Sequence, residues 1–380
     1  MKINYVLSHP IQYQSPLIKY LSKNKIDIKV SYRSNISVNK FYDKDFRQNI
    51  KWDVNLLSGY KYKFLRYIGP NRVSHIFPLT IDLFKILNDK NSNIIWVHGC
   101  KNWFNLLIIL LGKIYNKKIF LRDEVHHFSK KRSVFNKIFN FIYYFLVNYF
   151  VDCFLAIGKA NKKYYIDNFI NQNKIILVPY VVDNDYFTLK KKNNIKSKTI
   201  FLFASKLQHK KGIDILLEAI KNINKNEFFV KRSEFWVIGN GELNTFCKNF
   251  IKNNNIKNVK LLGFQNQRQL RSFYHKSDVL ILPSRFEPWG LVINEAMAAG
   301  NAIIASHKVG AGFDLVNNKN GKIFESENIE DLQNKIIYFI NNKKNIYFFK
   351  KNSLLMIEKF SFAQCLIGIK KALTKIQNNL

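Results

Sequence analysis

The chain has 380 residues, which is too long for one typical domain and comfortable for two. Hydrophobic residues make up 47% and aromatic residues 15%, so each half can bury a core, and this composition excludes an intrinsically disordered protein. The formal net charge of +35 leaves three explanations open: nucleic-acid binding, an anionic membrane surface, or a composition biased toward Lys, Asn and Ile. Because the lysines are scattered along the whole chain, compositional bias is the simplest of the three.

The first half of the chain alternates short apolar runs with amphipathic stretches. Such a pattern predicts strands and helices in turn, and therefore a parallel sheet covered by helices. The predicted strands are "KINYVLS", "DIKVSYRS", "NIIWVHG", "KIFLRDE", "CFLAIG" and "KIILVPYVVD", and the predicted helices are "SPLIKYLSKN" and "NLLIILLGKIYN".

Two longer apolar segments of this half raise the question of a membrane span. "WFNLLIILLGKIY" is too short to cross a bilayer, and "FNFIYYFLVNYFVDCFLAIG" is long enough but is interrupted by polar residues. We interpret both segments as buried helix and strand, with room for contact at a membrane interface. The apolar stretch after Met1 is too short for a signal peptide, and the four cysteines form no CxxC pair, so the sequence predicts a cytoplasmic protein.

The second half repeats the alternation after a dense positive run at 188–198, which we interpret as an interdomain linker. The sequence thus predicts an α/β protein with two doubly wound domains, 1–187 and 199–357, which face each other across a cleft. A helix at about 358–380 is expected to pack back on the first domain. Ligands of open parallel sheets bind at the carboxyl ends of the strands, so the cleft is the predicted site.

Two glutamates, Glu287 and Glu295, are separated by seven residues in "SRFEPWGLVINEAMAAG". A predicted strand ends just before Glu287, and Gly290 precedes a predicted helix whose N-terminus offers unpaired N–H groups to an anion. A phosphate bound between two carboxylates, each of which accepts hydrogen bonds from hydroxyls, suits a sugar nucleotide. A solvated helix position is the alternative for Glu295, and the spacing alone does not exclude it.

Three lysines, Lys206, Lys210 and Lys211, lie in the loop between a predicted strand and the helix that Gly212 opens. Ammonium groups at the N-terminus of a helix can neutralise a diphosphate leaving group. In a chain so rich in lysine, a single lysine is more often solvated than functional. The prediction therefore depends on the position of the loop at the carboxyl end of a strand.

Successive segments of the second half resemble the GT-B retaining glycosyltransferases of family 4. They are "FASKLQHKKGIDILLEAI", "WVIGNGEL", "VKLLGF" and "YHKSDVLILPSRFEPWGLVINEAMAAGNAIIAS", in which the E-x7-E pair is the hallmark of that family. In the first half, "IWVHG", "LRDE" and "DCFLAIGKANKKYYIDNF" are similar to its acceptor-side domain. The resemblance implies transfer of a sugar from a nucleoside diphosphate sugar to a hydroxyl of a glycan or lipid-linked glycan, in bacterial surface polysaccharide synthesis.

The resemblance also implies roles for individual residues. Lys206 and Lys211 would hold the diphosphate, Glu295 the ribose hydroxyls, and Glu287 the hydroxyls of the donor sugar. Lys206 stands where the family often has Arg, and this exchange loses the bidentate geometry of a guanidinium. His98 would face the donor sugar from the opposite domain. Main-chain groups of three further residues would also meet the donor: Trp289, Gly290 and Leu291.

The first loop, "SHPIQYQSP", departs from the family because it carries no glycine. His9 and Gln12 would occupy the cleft instead and touch the acceptor or the sugar. A structural loop that Pro10 fixes is the alternative.

No metal or other cofactor is predicted, and the nucleoside diphosphate sugar is expected as donor substrate only. Asp43–Asp45 and Asp183–Asp185 match the D-x-D pattern of metal-dependent transferases of a different fold, but they lie in a polar loop and at the domain hinge. His126 and His127 are adjacent and lack metal-ligand spacing.

Two other functions stay open: a sugar-nucleotide epimerase, which would use the same cleft without an acceptor, and a nucleic-acid-binding protein. The second is disfavoured because the chain has no recognised binding motif. A lipid-linked acceptor would require a membrane, and the basic clusters at 113–118 and 130–137 flank the apolar run "FNFIYYFLVNYF". Those clusters would meet an anionic membrane surface, unless the lysines are compositional and the acceptor is soluble.

Overall fold

The computed structural model of the chain describes residues 1–128, 134–188 and 197–378. These residues form two parallel sheets, each with helices on both faces, and two short antiparallel ribbons. The predicted α/β class with two doubly wound domains is confirmed. Most of the predicted linker, 189–196, lies outside the described residues.

The amino-terminal domain contains a parallel sheet with the strand order β11-β10-β9-β8-β1-β2-β5. The ribbons β3-β4 and β6-β7 are antiparallel additions to it. Its strands are β1 (Ile3–Leu7), β2 (Ile28–Tyr32), β3 (Phe41–Asp43), β4 (Gln48–Ile50), β5 (Lys61–Phe64), β6 (Tyr67–Ile68), β7 (Leu79–Thr80), β8 (Ile94–His98), β9 (Lys118–Arg122), β10 (Cys153–Ala156) and β11 (Ile175–Leu177). Its helices are α1 (Gln14–Lys23), α2 (Leu83–Leu87), α3 (Trp103–Gly112), α4 (Val134–Phe150), α5 (Lys159–Asp167) and α6 (Asn184–Phe187).

The carboxyl-terminal domain contains a parallel sheet with the strand order β14-β13-β12-β15-β16-β17. Its strands are β12 (Thr199–Ala204), β13 (Ser233–Ile238), β14 (Val259–Gly263), β15 (Val279–Leu282), β16 (Ala302–Ser306) and β17 (Gly321–Phe324). The helices of this part of the chain are α7 (Ile213–Ile223), α8 (Glu227–Arg232), α9 (Asn244–Asn253), α10 (Gln267–Lys276), α11 (Leu291–Ala298), α12 (Gly312–Leu315), α13 (Ile329–Asn341), α14 (Ile346–Ile357) and α15 (Phe362–Gln377).

Strand β1 shows why the sequences of the central strands are continuous apolar runs. Ile3, Tyr5 and Leu7 pack into the core on one face of the sheet, and Val6 packs into the core on the other. A parallel strand that is covered on both faces buries every side chain, and all five residues of β1 are buried. The strand order reverses between β1 and β8 and between β12 and β15, which are the switch points where α/β sheets bind ligands.

Helix α15 follows the carboxyl-terminal domain in the chain but packs in the core of the amino-terminal one. Cys365, Ile369 and Ala372 are buried there among side chains of β1, β2 and β10. Gly368 allows a close approach, because a Cβ at this position would collide with the carbonyl oxygen of Leu177. The chain therefore crosses between the domains twice.

Helix α4 differs from the expectation of a buried helix. Tyr144 and Val147 are buried, but most of the large apolar side chains on the helix are exposed. The prediction of burial was wrong because hydropathy counts apolar residues without regard to the face of the helix that they occupy. Among the helices of the described ranges, none combines the length and the apolar composition that a bilayer span requires. The exposed residues are Phe135, Ile138, Phe139, Phe141, Ile142, Phe145, Leu146 and Tyr149.

Candidate active site in the interdomain cleft

The carboxyl ends of the two sheets meet in the cleft. His126, which follows β9, lies with its Nε2 2.8 Å from the main-chain oxygen of Glu287, which follows β15. Asn294 of α11 donates a hydrogen bond of 3.1 Å to the main-chain oxygen of Tyr180, which follows β11. The loops that the sequence analysis selected in the two halves therefore border one cleft.

The loop after β15 is folded tightly onto the segment after β16. Gly310 donates its N–H to the oxygen of Glu287 at 3.1 Å, and Ala311 donates to the oxygen of Trp289 at 2.8 Å. Gly290 has φ +97°, and a Cβ there would lie 2.9 Å from the Leu282 side chain, so only glycine makes this turn without strain. The turn places the N-terminus of α11 at the carboxyl end of the sheet, where its free N–H groups suit an anion.

Lys211 and Glu287 form an ion pair at the centre of this half of the site. Both side chains are largely buried, with 17% and 11% of their surface exposed. Gly212 brings the lysine loop close to the glutamate loop, because its φ of +71° and its missing Cβ allow contact with the main chain of Pro283. The two residues predicted to bind diphosphate and donor sugar thus lie side by side.

Arg285, which was not predicted as a site residue, holds the lysine loop in place. Its guanidinium donates two hydrogen bonds of 2.8 Å to Asp214 on α7 and one of 2.6 Å to the oxygen of His209. Although burial raises the pKa of the Asp214 carboxyl, the hydrogen bonds and charge of Arg285 bring it below its ordinary value. Lys210 is exposed, as expected for a lysine that does not face the cleft.

Lys206 does not join the pair that Lys211 and Glu287 form. Its Nζ lies 2.8 Å from Oδ2 of Asp45 and 3.6 Å from Oδ1 of Asp43, on the β3-β4 ribbon of the opposite domain. The residue expected to hold the donor diphosphate is therefore paired with two carboxylates of the first D-x-D segment.

Glu295 lies on α11 and is buried, with its Oε2 accepting a 2.7 Å hydrogen bond from the hydroxyl of Tyr274. Burial raises the pKa of its carboxyl to about 7, although the hydrogen bond from Tyr274 acts in the opposite direction. The residue lines a cavity of about 630 Å³, together with Gln12, Tyr186 and Gln267. Glu295 thus contacts a roomy part of the cleft, whereas Glu287 is engaged by a lysine.

His98 ends β8 and lies at the centre of a polar cluster on the amino-terminal side. Its Nδ1 is 2.8 Å from the hydroxyl of Tyr5, and its Nε2 is 3.1 Å from Oε1 of Glu124 and 3.2 Å from the hydroxyl of Tyr180. The Tyr180 hydroxyl also donates to Glu124. Burial raises the pKa of the Glu124 carboxyl, but hydrogen bonds from His98 and Tyr180 bring it below its ordinary value.

His98 was predicted from the sequence as a site residue, whereas Tyr5, Glu124 and Tyr180 were not. Glu124 follows β9 and Tyr180 follows β11, so the strand-end rule applied to every strand of the first half would have found both. Arg122 lies beneath the cluster and donates hydrogen bonds of 2.8 and 3.0 Å to the carbonyls of Val178 and Pro179. These bonds hold the segment that carries Tyr180.

His9 and Gln12 follow β1 and border the same cleft. The Nδ1 atom of His9 is 2.9 Å from the Ser8 hydroxyl, and burial lowers the pKa of its imidazole to about 4, so the ring is neutral. Oε1 of Gln12 is buried and, among the described residues, has no hydrogen-bond partner. Gln12 therefore has an unused acceptor beside the cavity that Glu295 lines.

The Trp289 side chain serves the domain interface. It is buried, its Nε1 donates to Asn294 at 2.9 Å, and its ring lies against Gly158 of the amino-terminal domain. A Cβ on Gly158 would collide with this ring. A contact of Trp289 with a donor would therefore involve its main chain, as predicted, and the same applies to Gly290 and Leu291 at the start of α11.

The D-x-D segments have local structural roles. Asp183 accepts a hydrogen bond from the N–H of Tyr186 and caps α6, and Asp43 accepts from the N–H of Asp45 and of Phe46 within its ribbon. The described part of the chain contains no cluster of three or more His, Cys, Asp or Glu side chains arranged to hold a metal ion.

Comparison with known proteins identifies relatives for this arrangement. Residues 185–354 match the family model described as glycosyl transferases group 1. An uncharacterized glycosyltransferase of Methanocaldococcus jannaschii is 33% identical over 177 residues, which are 47% of this chain and 48% of that relative. The chain thus spans about half the length of this curated relative.

A longer match covers both domains. The UDP-Gal:alpha-D-GlcNAc-diphosphoundecaprenol alpha-1,3-galactosyltransferase of Escherichia coli is 26% identical over 282 residues, which are 69% of this chain and 70% of that relative. The structure of Anabaena HepE in complex with UDP superposes with a TM-score of 0.75 at 15% identity, and the superposition covers 98% of this chain and 100% of HepE. The predicted fold is confirmed: the chain has the GT-B fold, and its residues 185–354 match the glycosyl transferases of group 1, which agrees with the predicted glycosyltransferase.

Proposed function

We propose that the chain is a retaining glycosyltransferase that moves a sugar from a nucleoside diphosphate sugar to a hydroxyl of a glycan or lipid-linked glycan, in bacterial surface polysaccharide synthesis. The observation that carries the proposal is the Lys211–Glu287 pair beside the N-terminus of α11, with Glu295 on the same helix. These groups sit at the switch point of one sheet, and His98 sits at that of the other.

The donor would bind mainly to the carboxyl-terminal domain. Glu295 accepts hydrogen bonds from the ribose hydroxyls, and the cavity beside it has room for the nucleoside. The diphosphate lies against Lys211 and the main-chain N–H groups that follow Gly290, where the helix dipole also favours negative charge. Glu287 accepts hydrogen bonds from hydroxyls of the donor sugar.

The transfer requires no metal ion and no separate base. The bond between the sugar C1 and the phosphate oxygen breaks while the acceptor oxygen bonds to C1 on the same face, and the leaving diphosphate takes the acceptor proton. Lys211 and the N–H groups of α11 stabilise the charge that develops on the diphosphate. His98, oriented by Glu124 and Tyr5, contacts the donor sugar from the other side.

Calorimetry with a panel of nucleoside diphosphates and their sugars tests the donor site. Glu295→Ala removes an acceptor of hydrogen bonds and should weaken donor binding about tenfold or more, since hydrogen bonds to charged groups contribute ~1.5–3 kcal/mol. Glu330→Ala, an exposed first-turn position on α13, is the control and should leave affinity unchanged. Unchanged affinity in Glu295→Ala would contradict the ribose role.

The same nucleoside diphosphate sugars can distinguish glycosyl transfer from epimerisation of the donor sugar. A transferase releases nucleoside diphosphate rapidly only when a glycan acceptor is supplied, whereas an epimerase converts the sugar nucleotide without acceptor. Equal conversion with and without acceptor would reject the transferase proposal.

We also propose that the chain binds an anionic membrane surface through α4. Seven exposed side chains form one stripe, because their positions recur every three or four residues along the helix. Helix α4 carries no acidic residue. Three lysines flank it: Lys101 and Lys174, which hydrogen-bond to α4, and Lys113, whose Nζ is 3.7 Å from the Tyr149 ring. The stripe consists of Phe135, Ile138, Phe139, Ile142, Phe145, Leu146 and Tyr149.

An apolar stripe bordered by lysines fits the interfacial region of a bilayer, where lysines contribute ~1 kcal/mol each. The Escherichia coli relative is named for an acceptor on diphosphoundecaprenol, a lipid, and a lipid-linked acceptor would bring this chain to the same place. The basic residues at 130–132, which belong to the predicted cluster at 130–137, lie outside the described residues.

Vesicle flotation tests this surface. Binding should rise with the fraction of anionic lipid and fall with salt. The double variant Phe135→Ser and Phe139→Ser should reduce binding about tenfold or more, since burying one such ring contributes ~1.5–3 kcal/mol. The control is Tyr347→Ser and Phe348→Ser on α14, which are exposed to a similar extent in the other domain. Equal loss in both double variants, or no flotation of the unmodified chain, would reject the membrane surface.

A further inference from the structure

The β3-β4 ribbon extends from the amino-terminal domain onto the carboxyl-terminal one. Asp45 and Asp43 bind Lys206, and the Phe46 ring lies with its centroid 4.9 Å from the same Nζ. Gln48 accepts a 2.9 Å hydrogen bond from the side chain of Asn240. Charged, aromatic and amide side chains of one short ribbon thus all contact the other domain.

The contacts continue along the chain after the ribbon. The rings of Phe46 and Trp52 lie 5.0 and 6.3 Å from the ring of Phe264. The side chain of Asn266 donates to the oxygen of Lys51 at 2.8 Å. The ribbon and the residues that follow it therefore form one continuous interdomain contact.

The surface that the ribbon covers lies at the carboxyl ends of three adjacent strands. Lys206 follows β12, Asn240 follows β13 and Phe264 follows β14. This edge of the sheet is where the proposed donor would lie, and Lys206 is one of the two lysines expected at its diphosphate. In the structure, two carboxylates contact the ammonium group of Lys206, which a diphosphate would also use. The carboxyl of Asp45 is tied to this lysine strongly enough that the hydrogen bond from Lys206 lowers its pKa.

We propose that the ribbon Phe41–Ile50 is a gate that competes with the donor for Lys206. Without donor, Asp43 and Asp45 neutralise the lysine and close the edge of the sheet. A bound diphosphate takes the ammonium group for itself and repels both carboxylates, so the ribbon moves away from β12. The inference rests on the proposed donor site, and it assigns to the first D-x-D segment a role that needs no metal ion.

Binding of UDP, GDP and ADP to the full chain, measured by calorimetry, tests the gate. The double variant Asp43→Asn and Asp45→Asn keeps the size of both side chains but removes the competing charge. It should bind the preferred nucleoside diphosphate about two- to fivefold more tightly, which is the range that partly exposed ion pairs contribute. Asp27→Asn, an exposed aspartate at the opposite end of β2, is the control for the change in net charge and should leave affinity unchanged.

The variant Lys206→Ala tests whether the gain in nucleotide affinity depends on this lysine. It should weaken nucleotide binding, and in its background the two Asp→Asn substitutions should no longer raise affinity, because the partner for which they compete is gone. Hydrogen exchange of the 41–50 amides should become faster when nucleotide is added.

The outcomes separate the gate from the donor site. If a nucleoside diphosphate binds and Glu295→Ala weakens it, but Asp43→Asn and Asp45→Asn leave affinity unchanged or lower it, the gate is wrong and the donor site stands. Slower exchange of the 41–50 amides with nucleotide would also overturn the gate, since it would mean that the ribbon closes over the ligand. If no nucleotide binds to either the unmodified chain or the double variant, both proposals fail.

Discussion

The loop after β15 and the helix that follows it each present a glutamate to the cleft, and the two carboxylates have opposite environments. Glu287 is paired with Lys211. Glu295 is buried beside a neutral tyrosine, and burial raises its pKa to about 7. A cation in contact compensates for burial, whereas a hydroxyl does so only partly. One short segment thus provides both a partner for the Lys211 ion pair and a carboxyl that can hold a proton near neutral pH.

Breaking the charged pair should have the largest effect. Lys211→Ala should lower turnover about a hundredfold, the scale of losing one preorganised group at a developing anion. Steady-state kinetics with donor and acceptor measures it. Lys210→Ala, next in the chain but exposed, should have little effect, and equal effects of the two variants would mean that the wrong lysine was assigned.

The Lys211→Ala variant also leaves Glu287 buried without its cation, which should cost about 3 kcal/mol of unfolding free energy. Adding Glu287→Gln removes the unpaired charge and should recover much of that stability without restoring turnover. Denaturant unfolding separates the two effects. A double variant that regains turnover would show that Lys211 acts only through folding.

The contribution of Glu295 to folding stability should depend on pH in the opposite sense from that of a salt-bridged carboxyl. Between about pH 4.5 and pH 7 the folded chain holds a proton on Glu295 that the unfolded chain releases, so the contribution of this group to stability falls as pH rises through that window. Above it, the buried carboxylate costs on the order of 3 kcal/mol. Glu295→Gln should therefore raise the melting temperature at about pH 8 and change it little at about pH 5.

Thermal unfolding at the two pH values measures this difference. Glu330→Gln on the surface of α13 is the matched control. A lower melting temperature of Glu295→Gln at about pH 8 would show that the carboxylate is stabilised by its surroundings. The Glu295→Gln variant should bind donor more weakly. Glu295 would then lower the stability of the fold at this pH while it strengthens donor binding.

The sequence allowed Lys211, Glu287 and Glu295 to be grouped in advance, because the parts of the chain that carry them are short loops and one helix after predicted strands. One strand, one glycine turn and one helix carry both glutamates, and Gly212 brings the lysine loop to them. The amino-terminal cluster is different: His98 ends β8, and Glu124 and Tyr180 follow β9 and β11. The strand-end rule can select each residue, but their contacts depend on the strand order, which local patterns do not contain.

Two further features of the structure were not predictable from the sequence, for physical reasons. The pairing of Lys206 with Asp45 joins residues from different domains, and no periodicity marks such a contact. The exposed stripe of α4 has the same apolar residues that a core helix would have, so composition alone favoured burial. The central strands and the helices beside them were predictable, because strands covered on both faces and amphipathic helices leave distinct patterns, whereas the short strands β3 to β7 were not predicted.

The smallest predicted effect concerns Tyr274. Its substitution distinguishes the effect of burial on the pKa of Glu295 from the effect of the hydrogen bond that Tyr274 donates. Protonation removes the charged acceptor for the ribose, so affinity for a nucleoside diphosphate sugar should fall below about pH 7, by no more than the loss expected for Glu295→Ala. Tyr274→Phe removes a hydrogen bond that favours the carboxylate, and the midpoint of this fall should move upward by about half a unit to one unit. At about pH 7 the affinity would then drop roughly threefold.

Calorimetry across this pH range measures the shift. Tyr347→Phe, an exposed tyrosine on α14, is the control and should keep the midpoint of the unmodified chain. The Glu295→Gln variant should show no fall in this window, because the titrating group is gone. A midpoint that moves downward in Tyr274→Phe would mean that the tyrosine hydroxyl favours the protonated carboxyl, and that burial alone does not set the state of Glu295.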